Sequence, residues 1–260
     1  MRDRKKSTLR VRSAKAPSRQ AGARPPGASR DLRVSAHVRR EVRNRLLAWG
    51  KSHYAKYPWR EEKNPWIALS TEVLLQRTRA SQVIPVYQVF RKKYATPSAL
   101  AAASEGELSG VVGSLGLHWR TPLLIKMASI VAEHGLPGDN FGDLQRLPGV
   151  GPYAAAAYLS MHRGVRATIV DANVVRWLGR LFGVETNCET RRKRWFISLA
   201  DALTPRRTFR DYNYAVLDFA MQLCSHAPKC DECPFATDLC RFAKRDPSSA
   251  RPSSKHLTPR

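Results

Sequence analysis

The chain has 260 residues, of which 43% are hydrophobic and 25% charged, a composition typical of a folded protein with a buried core. Lys and Arg number 45 against 21 Asp and Glu, so the formal net charge is +24, which favours a polyanionic partner, nucleic acid before membrane. No run of about 18 apolar residues predicts a transmembrane helix, and no apolar stretch follows the basic N-terminus as it would in a secretory signal.

Both ends of the chain lack a periodic apolar pattern. Residues 1–34 are rich in Arg, Lys, Ser, Pro and Gly and are predicted to form a disordered basic arm. The arm is expected to contact phosphates non-specifically; a solvated tail, a targeting segment and a misplaced start codon are the alternatives. Residues 241–260 are predicted to be a disordered tail.

Between these ends, apolar residues recur at helical spacing, interrupted by helix-opening and helix-breaking residues. The pattern predicts helices at 38–54, 65–75, 81–94, 98–103, 105–112, 121–134, 143–147, 154–160, 173–182, 191–203 and 212–223. Residues 113–119 are predicted to form a loop. Because no stretch shows sustained period-two alternation, we expect an all-α fold.

A glycine-containing turn joins two of these predicted helices, with the sequence Leu147-Pro148-Gly149-Val150-Gly151-Pro152-Tyr153. Glycine adopts positive φ without steric strain, so this segment can turn tightly while Val150 fills the angle between the helices. Backbone N–H groups at such a turn and at the next helix start form a site for an anion such as a phosphate. An ordinary helix–helix turn is the alternative when nothing else accompanies the motif.

Two carboxylates stand in unusual surroundings. Asp171 precedes an apolar-periodic segment and is predicted to be a helix N-cap, a position that favours its charged form. Glu72 lies inside a mostly apolar helix, where an acid needs a partner or a function. A buried ion pair between Glu72 and an arginine is the alternative to a functional role.

Four of the five cysteines are clustered as Cys224-x5-Cys230-x2-Cys233-x6-Cys240. In a chain without a secretory signal, this density indicates a metal site rather than disulfides. Four thiolates suit either tetrahedral zinc or an iron–sulfur cluster, and the spacing alone does not separate them. Cys188 lies apart and is interpreted as an ordinary thiol.

Taken together, the motifs resemble the helix-hairpin-helix (HhH-GPD) DNA glycosylases of the endonuclease III and MutY superfamily over about residues 40–240. The resemblance rests on Tyr57-Pro58-Trp59-Arg60, Thr71-Glu72-Val73-Leu74-Leu75-Gln76-Arg77-Thr78, Leu115-Gly116-Leu117, the glycine turn, Val170-Asp171-Ala172-Asn173 and the cysteine array. It implies a glycosylase region at 35–240 with two helical subdomains, a six-helix barrel-type subdomain at about 66–170 and an iron–sulfur subdomain at 35–65 plus 171–240.

The same resemblance implies a [4Fe-4S] cluster bound by Cys224, Cys230, Cys233 and Cys240. The spacing differs from the x6, x2, x5 usual in the family, so the number of ligands is preserved although the loop geometry can differ.

Two positions indicate the branch of the family. Endonuclease III-like lyases carry Lys where this chain has Tyr153, and without that amine strand cleavage is expected to be weak or absent. MutY-type adenine glycosylases typically carry Ser there and Gln at the position of Arg77, with an additional C-terminal domain. Tyr153, Arg77 and the Asp-Ala-Asn triplet instead resemble thymine-DNA glycosylases that act on G·T and G·U mismatches.

The implied function is therefore base-excision repair by a monofunctional DNA glycosylase that hydrolyses the N-glycosidic bond of T or U opposite G. Its implied catalytic residues are Asp171, Glu72 and Tyr153, and its implied DNA-binding residues are Gln76, Arg77, Leu147, Gly149, Val150 and Gly151. The loop around Leu117-His118-Trp119 is expected to approach the duplex, with a core position for Trp119 as the alternative.

The expected partner is double-stranded DNA with a mismatched base, bound by a monomer without membrane association, in the cytoplasm of a prokaryote at its nucleoid. The alternatives are an adenine glycosylase lacking its accessory domain, a non-catalytic DNA-binding protein with the same scaffold, and an unrelated basic zinc protein.

Overall fold

The computed structural model describes residues 34–116 and 118–245, all within one compact unit of the chain. The predicted basic arm, apart from Val34, lies outside the described residues, as do Leu117 and the chain beyond residue 245. The described residues contain helices and turns but no strand, which confirms the all-α fold. The α-helices are α1 (Ala36–His53), α2 (Pro65–Leu74), α3 (Ala80–Lys93), α4 (Pro97–Ala101), α5 (Glu105–Val112), α6 (Thr121–His134), α7 (Phe141–Gln145), α8 (Pro152–Ala157), α9 (Ala172–Phe182), α10 (Arg194–Leu203), α11 (Phe209–Gln222) and α12 (Arg241–Arg245).

Local capping explains where most helices begin. Asn64 accepts hydrogen bonds from the first N–H groups of α2, which starts at Pro65 as predicted. Ser104 and Glu107 form a reciprocal capping box at the start of α5. The predicted boundaries of α5 and α6 are confirmed.

Several boundaries differ from the sequence prediction. α7 begins two residues earlier than expected because Asn140 caps it, and α10 is preceded by a separate 3-10 turn, Thr190–Arg192. The predicted loop 113–119 contains two 3-10 turns, Gly113–Leu115 and His118–Arg120. Residues 241–245 form α12 instead of the start of a disordered tail, because Ala243 is buried and Arg241 packs against Gly183.

The helices surround two hydrophobic cores. The first is built from α2 to α8, with Trp66, Phe90 and Met127 among its buried side chains. The second combines α1 with α9, α10 and α11, and includes Trp177 and Phe219. A smaller cluster of Ala156, Ala157, Met161, Ile169 and Tyr214 joins α8 to α11, and Tyr153 packs against it. The candidate catalytic residues lie at this junction.

A buried ion pair connects the two cores. Arg60, in the turn Pro58–Glu61, donates two hydrogen bonds of 2.8 Å to the carboxylate of Asp218 on α11. Asp218 is fully buried, and its Oδ2 also accepts a hydrogen bond from the Ala55 N–H. Bidentate geometry and a third donor compensate for burying the charge. This pair fixes the segment before α2 against the second core.

Among the described helices, none is both long and apolar enough to cross a membrane.

Candidate active site and cysteine loop

The glycine turn has the tight geometry that the sequence predicts. Gly149 has φ +81, whereas Gly151 is extended with φ −85, so only Gly149 requires the freedom of glycine. Val150 is buried between the helices, and its N–H donates to the Leu147 carbonyl. A Cβ placed on Gly151 would meet nothing within 4 Å, so the backbone here is open to the approach of a ligand.

The Gln76-Arg77 turn, which follows α2, lies beside the glycine turn. Gln76 Nε2 donates a 3.0 Å hydrogen bond to the Gly149 carbonyl, which ties the two turns together. Arg77 is exposed and has φ +58, a left-handed conformation that strains a non-glycine residue by about 1–2 kcal/mol. Strain of this kind persists where the surrounding structure imposes it, often at functional sites.

Arg120 binds the backbone that precedes Arg77. Its side chain is buried, and its Nη1 donates to the carbonyls of Val73 and Gln76 at 3.0 and 2.7 Å. Burial, followed by the charge of Arg77, lowers the pKa of Arg120, although an arginine remains charged at neutral pH. The C-terminal end of α2 thus has its carbonyls satisfied by a guanidinium group.

Asp171 is the N-cap of α9, as predicted. Its Oδ1 accepts a 2.7 Å hydrogen bond from the Val174 N–H, and its Oδ2 accepts one of 2.7 Å from Asn173 Nδ2. The positive end of the helix dipole also favours a negative charge here. Both oxygens are therefore held in fixed positions by the first turn of α9.

Glu72 is buried on α2, and its partner is a histidine rather than the arginine considered from the sequence. Glu72 Oε1 lies 3.1 Å from His162 Nε2, and each of these side chains is 3% exposed. His162 ends a π-helical turn, Tyr158–His162, that continues α8. π-turns are rare and are frequently found at functional sites.

Tyr153 is affected by both carboxylates, Glu72 and Asp171. Burial raises its pKa well above the usual 10, and the negative charges of Glu72 and then Asp171 raise it further. The carboxylates of Glu72 and Asp171 therefore both act on the Tyr153 hydroxyl. The phenol stays protonated at neutral pH, so it is a hydrogen-bond donor rather than a nucleophile.

Trp119 does not belong to the core, which was the alternative for it, because 58% of its side chain is exposed. Its ring lies 4.6 Å from the guanidinium carbon of Arg120, so the indole is positioned by the residue that supports the Gln76-Arg77 turn.

The four clustered cysteines line a single pocket in the cysteine loop, residues 224–240. The cavity walls are aromatic and aliphatic, with Trp177, Phe219, Phe235 and Phe242 among them. Arg180 donates to the backbone carbonyls of Cys224, Ser225 and His226 and lies 3.6 Å from Cys224 Sγ. All four are free thiols, and Cys188 is a separate, exposed thiol.

The donor set fits a metal cluster. Burial, together with the neighbouring cysteines, raises the pKa of the Cys233 thiol to about 12, so four thiolates need bound cations to be stable here. Among the described residues, no three such side chains converge at the distances that one metal ion requires. Four cysteines suit either an iron–sulfur cluster or a tetrahedral zinc ion.

Hydrogen bonds connect the cysteine loop to Asp171. Asn173, which donates to Asp171, accepts a 3.1 Å hydrogen bond from Arg176 Nη2. Arg176 Nε in turn donates to the Cys224 carbonyl at 2.9 Å. The first turns of α9 therefore position both the carboxylate and the start of the cysteine loop.

Some residues of the site were not identified from the sequence, namely His162, Arg120, Arg60 and Tyr214. His162 follows an alanine-rich segment and meets Glu72 ninety residues away, so no local pattern indicates the contact. Arg60 belongs to a recognised motif, but its partner Asp218 is 158 residues distant. The sequence places Arg60 next to Trp59 in a motif shared with the family, but it does not indicate the ion pair with Asp218.

Comparison with known proteins identifies the family. Residues 71–197 match the HhH-GPD superfamily of base excision DNA repair proteins. A thymine/uracil-DNA glycosylase of Pyrobaculum aerophilum is 33% identical over 79% of this chain and 93% of its own length. A thymine-DNA glycosylase of Aeropyrum pernix is 35% identical over 79% of this chain and 95% of its own.

A solved structure of a thermostable thymine-DNA glycosylase matches with a TM-score of 0.74 and 30% identity, covering 80% of this chain and 97% of that one. Sequence similarity and fold agree along most of the described chain. The chain belongs to the HhH-GPD superfamily of base excision DNA repair proteins.

Proposed function

We propose that this protein is a monofunctional DNA glycosylase that removes thymine or uracil opposite guanine from double-stranded DNA. The observation that carries the proposal is the convergence of Glu72, Asp171 and a protonated Tyr153 at the junction of the two cores, next to the glycine turn. The similar proteins named for thymine and uracil excision support the same substrates.

Excision requires the target nucleotide to leave the base stack. Flipping costs a few kcal/mol, and the cost is smallest for a mispaired base, which favours G·T and G·U over matched pairs. The open backbone at Gly151 and the N-terminus of α8 hold the phosphate near the lesion, with Leu147 and Val150 fixing the turn. The many Lys and Arg residues supply salt-dependent affinity for the duplex, which a monomer binds.

Asp171 acts on the sugar. Breaking the N-glycosidic bond develops positive charge on the deoxyribose, as in the oxocarbenium-like states of glycoside hydrolysis. A carboxylate whose two oxygens are already held by α9 stabilises that charge without reorganising, and it orients the attacking water. Glu72 faces the edge of the flipped base.

Tyr153 explains why the DNA strand is not cleaved after base release. It occupies the place where lyases of the family carry an amine, and a protonated phenol forms no Schiff base. Water is therefore the nucleophile, and the abasic strand is left intact. Tyr153 also forms a wall of the base pocket.

Arg77 and Gln76 face the DNA on the side of the opposing strand. Arg77 enters the space vacated by the flipped base and donates to the orphan guanine, for which its planar fork is suited. Its strained, exposed conformation, held by Arg120 and by the Gln76 contact to Gly149, supports this role.

We expect Arg77→Ala to reduce the preference for guanine as the opposing base by about 10-fold or more, because one good bidentate contact discriminates bases by roughly 1–3 kcal/mol. The measurement compares excision of T opposite G, A, C and T. An unchanged preference in the variant would contradict the role of Arg77.

The four cysteines of the cysteine loop would hold a [4Fe-4S] cluster, which when bound supplies a rigid, electron-rich cross-link between the ends of the loop. The residues of this chain arrange the loop around that position: Arg180 binds its carbonyls, and Arg176 connects it to α9. We propose that α1 and α9 to α11 form the iron–sulfur subdomain, and α2 to α8 the barrel-type subdomain.

Single-turnover base release tests the function. Labelled duplexes carry G·T, G·U, 8-oxoguanine·A, G·A or only matched pairs, and each reaction is quenched with alkali or at neutral pH. We expect cleavage of the T or U strand after alkali only. Release of adenine would contradict the assigned specificity, and strand cleavage at neutral pH would contradict the monofunctional mechanism. A catalytically silent protein that binds these duplexes tightly would contradict both.

A further inference from the structure

The histidine that contacts Glu72 has an incomplete set of hydrogen bonds. His162 Nε2 lies 3.1 Å from Glu72 Oε1, while its Nδ1 is buried and has no partner among the described residues. The π-turn sets this position, since the Arg163 N–H bonds to the Tyr158 carbonyl five residues back. The other oxygen of Glu72, Oε2, makes no hydrogen bond to the described part of the chain.

The orphan nitrogen determines where the proton lies. A protonated Nδ1 would be a buried N–H without an acceptor, which is strongly unfavourable, whereas a bare lone pair is less so. The arrangement consistent with this is a neutral imidazole whose Nε2–H donates to Glu72 Oε1. With Oε1 engaged by this donor, Oε2 is the Glu72 oxygen left to accept a hydrogen bond from a ligand.

The other groups around Glu72 do not replace this donor. The hydroxyls of Tyr153 and Tyr214 are near, and the Tyr214 hydroxyl is buried with no hydrogen-bond partner among the described residues. The Arg60 guanidinium is bound to Asp218, and Asp171 is held by the first turn of α9. The ring of Tyr158, 6.4 Å from that of His162, is the neighbour on its own turn.

We propose that His162 is a positioning residue for base selection: it orients Glu72 so that Oε2 accepts a hydrogen bond from the N3–H that thymine and uracil carry and cytosine lacks. This inference rests on the proposed base excision and deepens it. Thymine and uracil present N3–H as a donor, whereas N3 of cytosine presents a lone pair that a carboxylate repels. An acceptor at Glu72 Oε2 therefore favours thymine and uracil, the two pyrimidines that form mismatches with guanine.

Two substitutions separate hydrogen bonding from packing. His162→Gln keeps an amide N–H at a reach similar to that of Nε2, whereas His162→Leu removes the donor and keeps an apolar side chain of useful size. His134→Leu is the matched control, because His134 lies 3.7 Å from Glu133 on the exposed surface. Should His162→Leu not fold, His162→Asn replaces it, because its shorter side chain withdraws the donor.

The measurement is the ratio of single-turnover rates for uracil and N3-methyluracil, each opposite guanine. The methyl group removes the N3–H, so we expect the wild-type ratio to be about 10²-fold or larger, as for loss of a hydrogen bond to a charged group. His162→Leu should lower this ratio at least about 10-fold by slowing uracil release, and His162→Gln should restore most of it. His134→Leu should leave it unchanged.

Two results would overturn the inference while leaving the glycosylase function intact: a wild-type protein that releases both bases equally fast, or a His162→Leu variant that slows both equally. The second result would show a purely structural role for His162. Failure of the wild-type protein to release uracil from any duplex would instead contradict the proposed function, and this inference with it.

Discussion

The Gln76-Arg77 turn and the cysteine loop are both irregular segments in which an arginine donates hydrogen bonds to backbone carbonyls. They differ in whether side chains of the chain itself occupy the remaining polar groups. Arg120 is buried and binds Val73 and Gln76, and Gln76 adds its own hydrogen bond to the glycine turn. In the cysteine loop, Arg180 binds three carbonyls, yet four thiols around one cavity remain free.

This difference indicates how each segment is stabilised. The Gln76-Arg77 turn is finished by side chains of the same chain, which impose a strained residue at the proposed DNA-facing surface. The cysteine loop has the ligands for a group that the chain does not supply. The first region should therefore respond to mutations of packing and hydrogen bonds, and the second to loss of the proposed cluster.

Cys233→Ala should have the largest effect on stability. Removing one ligand should release iron and abolish the visible absorbance of a [4Fe-4S] protein. The free energy of unfolding should fall by a value on the order of 10 kcal/mol, the scale of a structural metal site. Iron content and thermal unfolding measure this. Cys188→Ala is the control, since Cys188 is exposed and outside the cavity. A Cys233→Ala protein that unfolds like the wild type would show that the loop needs no cluster.

Arg120→Met should have an intermediate effect. It leaves the carbonyls of Val73 and Gln76 without their donor in a buried place, which should lower the free energy of unfolding by about 3 kcal/mol while iron content stays unchanged. Urea denaturation and iron analysis measure the two separately. Arg163→Met, which breaks a partly exposed pair with Asp139, should change stability by less than about 1 kcal/mol. Loss of iron in Arg120→Met would mean that the two regions are not independent.

Asp238→Asn should have the smallest effect. Asp238 pairs with Arg45 at the surface, and this hydrogen bond lowers the pKa of the carboxyl to about 2 from the usual 3.8. Because the pKa is lower in the folded protein, the pair stabilises the fold above the unfolded value and ceases to do so as pH falls through about 2.

The small difference in unfolding midpoint between wild type and Asp238→Asn should therefore be constant from neutral pH down to about pH 4, and should shrink in high salt. Thermal unfolding at several pH values and salt concentrations measures it. A difference in unfolding midpoint that disappears at about pH 5 would contradict the low pKa of Asp238.

Local signals predict much of this fold. Pro65 after Asn64, Ser104 with Glu107, and Asp171 before an apolar-periodic segment each indicate a helix start that the structure contains. Such signals act within a few residues, so they are visible in a single sequence. The α7 boundary was wrong because the cap at Asn140 competes with the later apolar pattern.

The contacts that complete the site are not local. The Glu72 pair with His162, the Arg60 pair with Asp218 and the Arg120 contacts with α2 join residues that are far apart in sequence. Each depends on how the helices pack, and the left-handed conformation of Arg77 follows from that packing. The resemblance to a family predicted the candidate residues, whereas their partners came from the structure.

The proposed base excision depends on the negative charge of Asp171, and Asp171→Asn removes that charge while keeping an oxygen for the N-cap. Asparagine is as good an N-cap as aspartate, so α9 and the unfolding midpoint should be nearly unchanged. The measurement is the single-turnover rate of thymine release from a G·T duplex, together with the Kd for the same duplex. We predict a rate reduced by about 10²- to 10³-fold, as for loss of one preorganised electrostatic contact, with the Kd unchanged. An Asp171→Asn protein that releases thymine at the wild-type rate would contradict the mechanism.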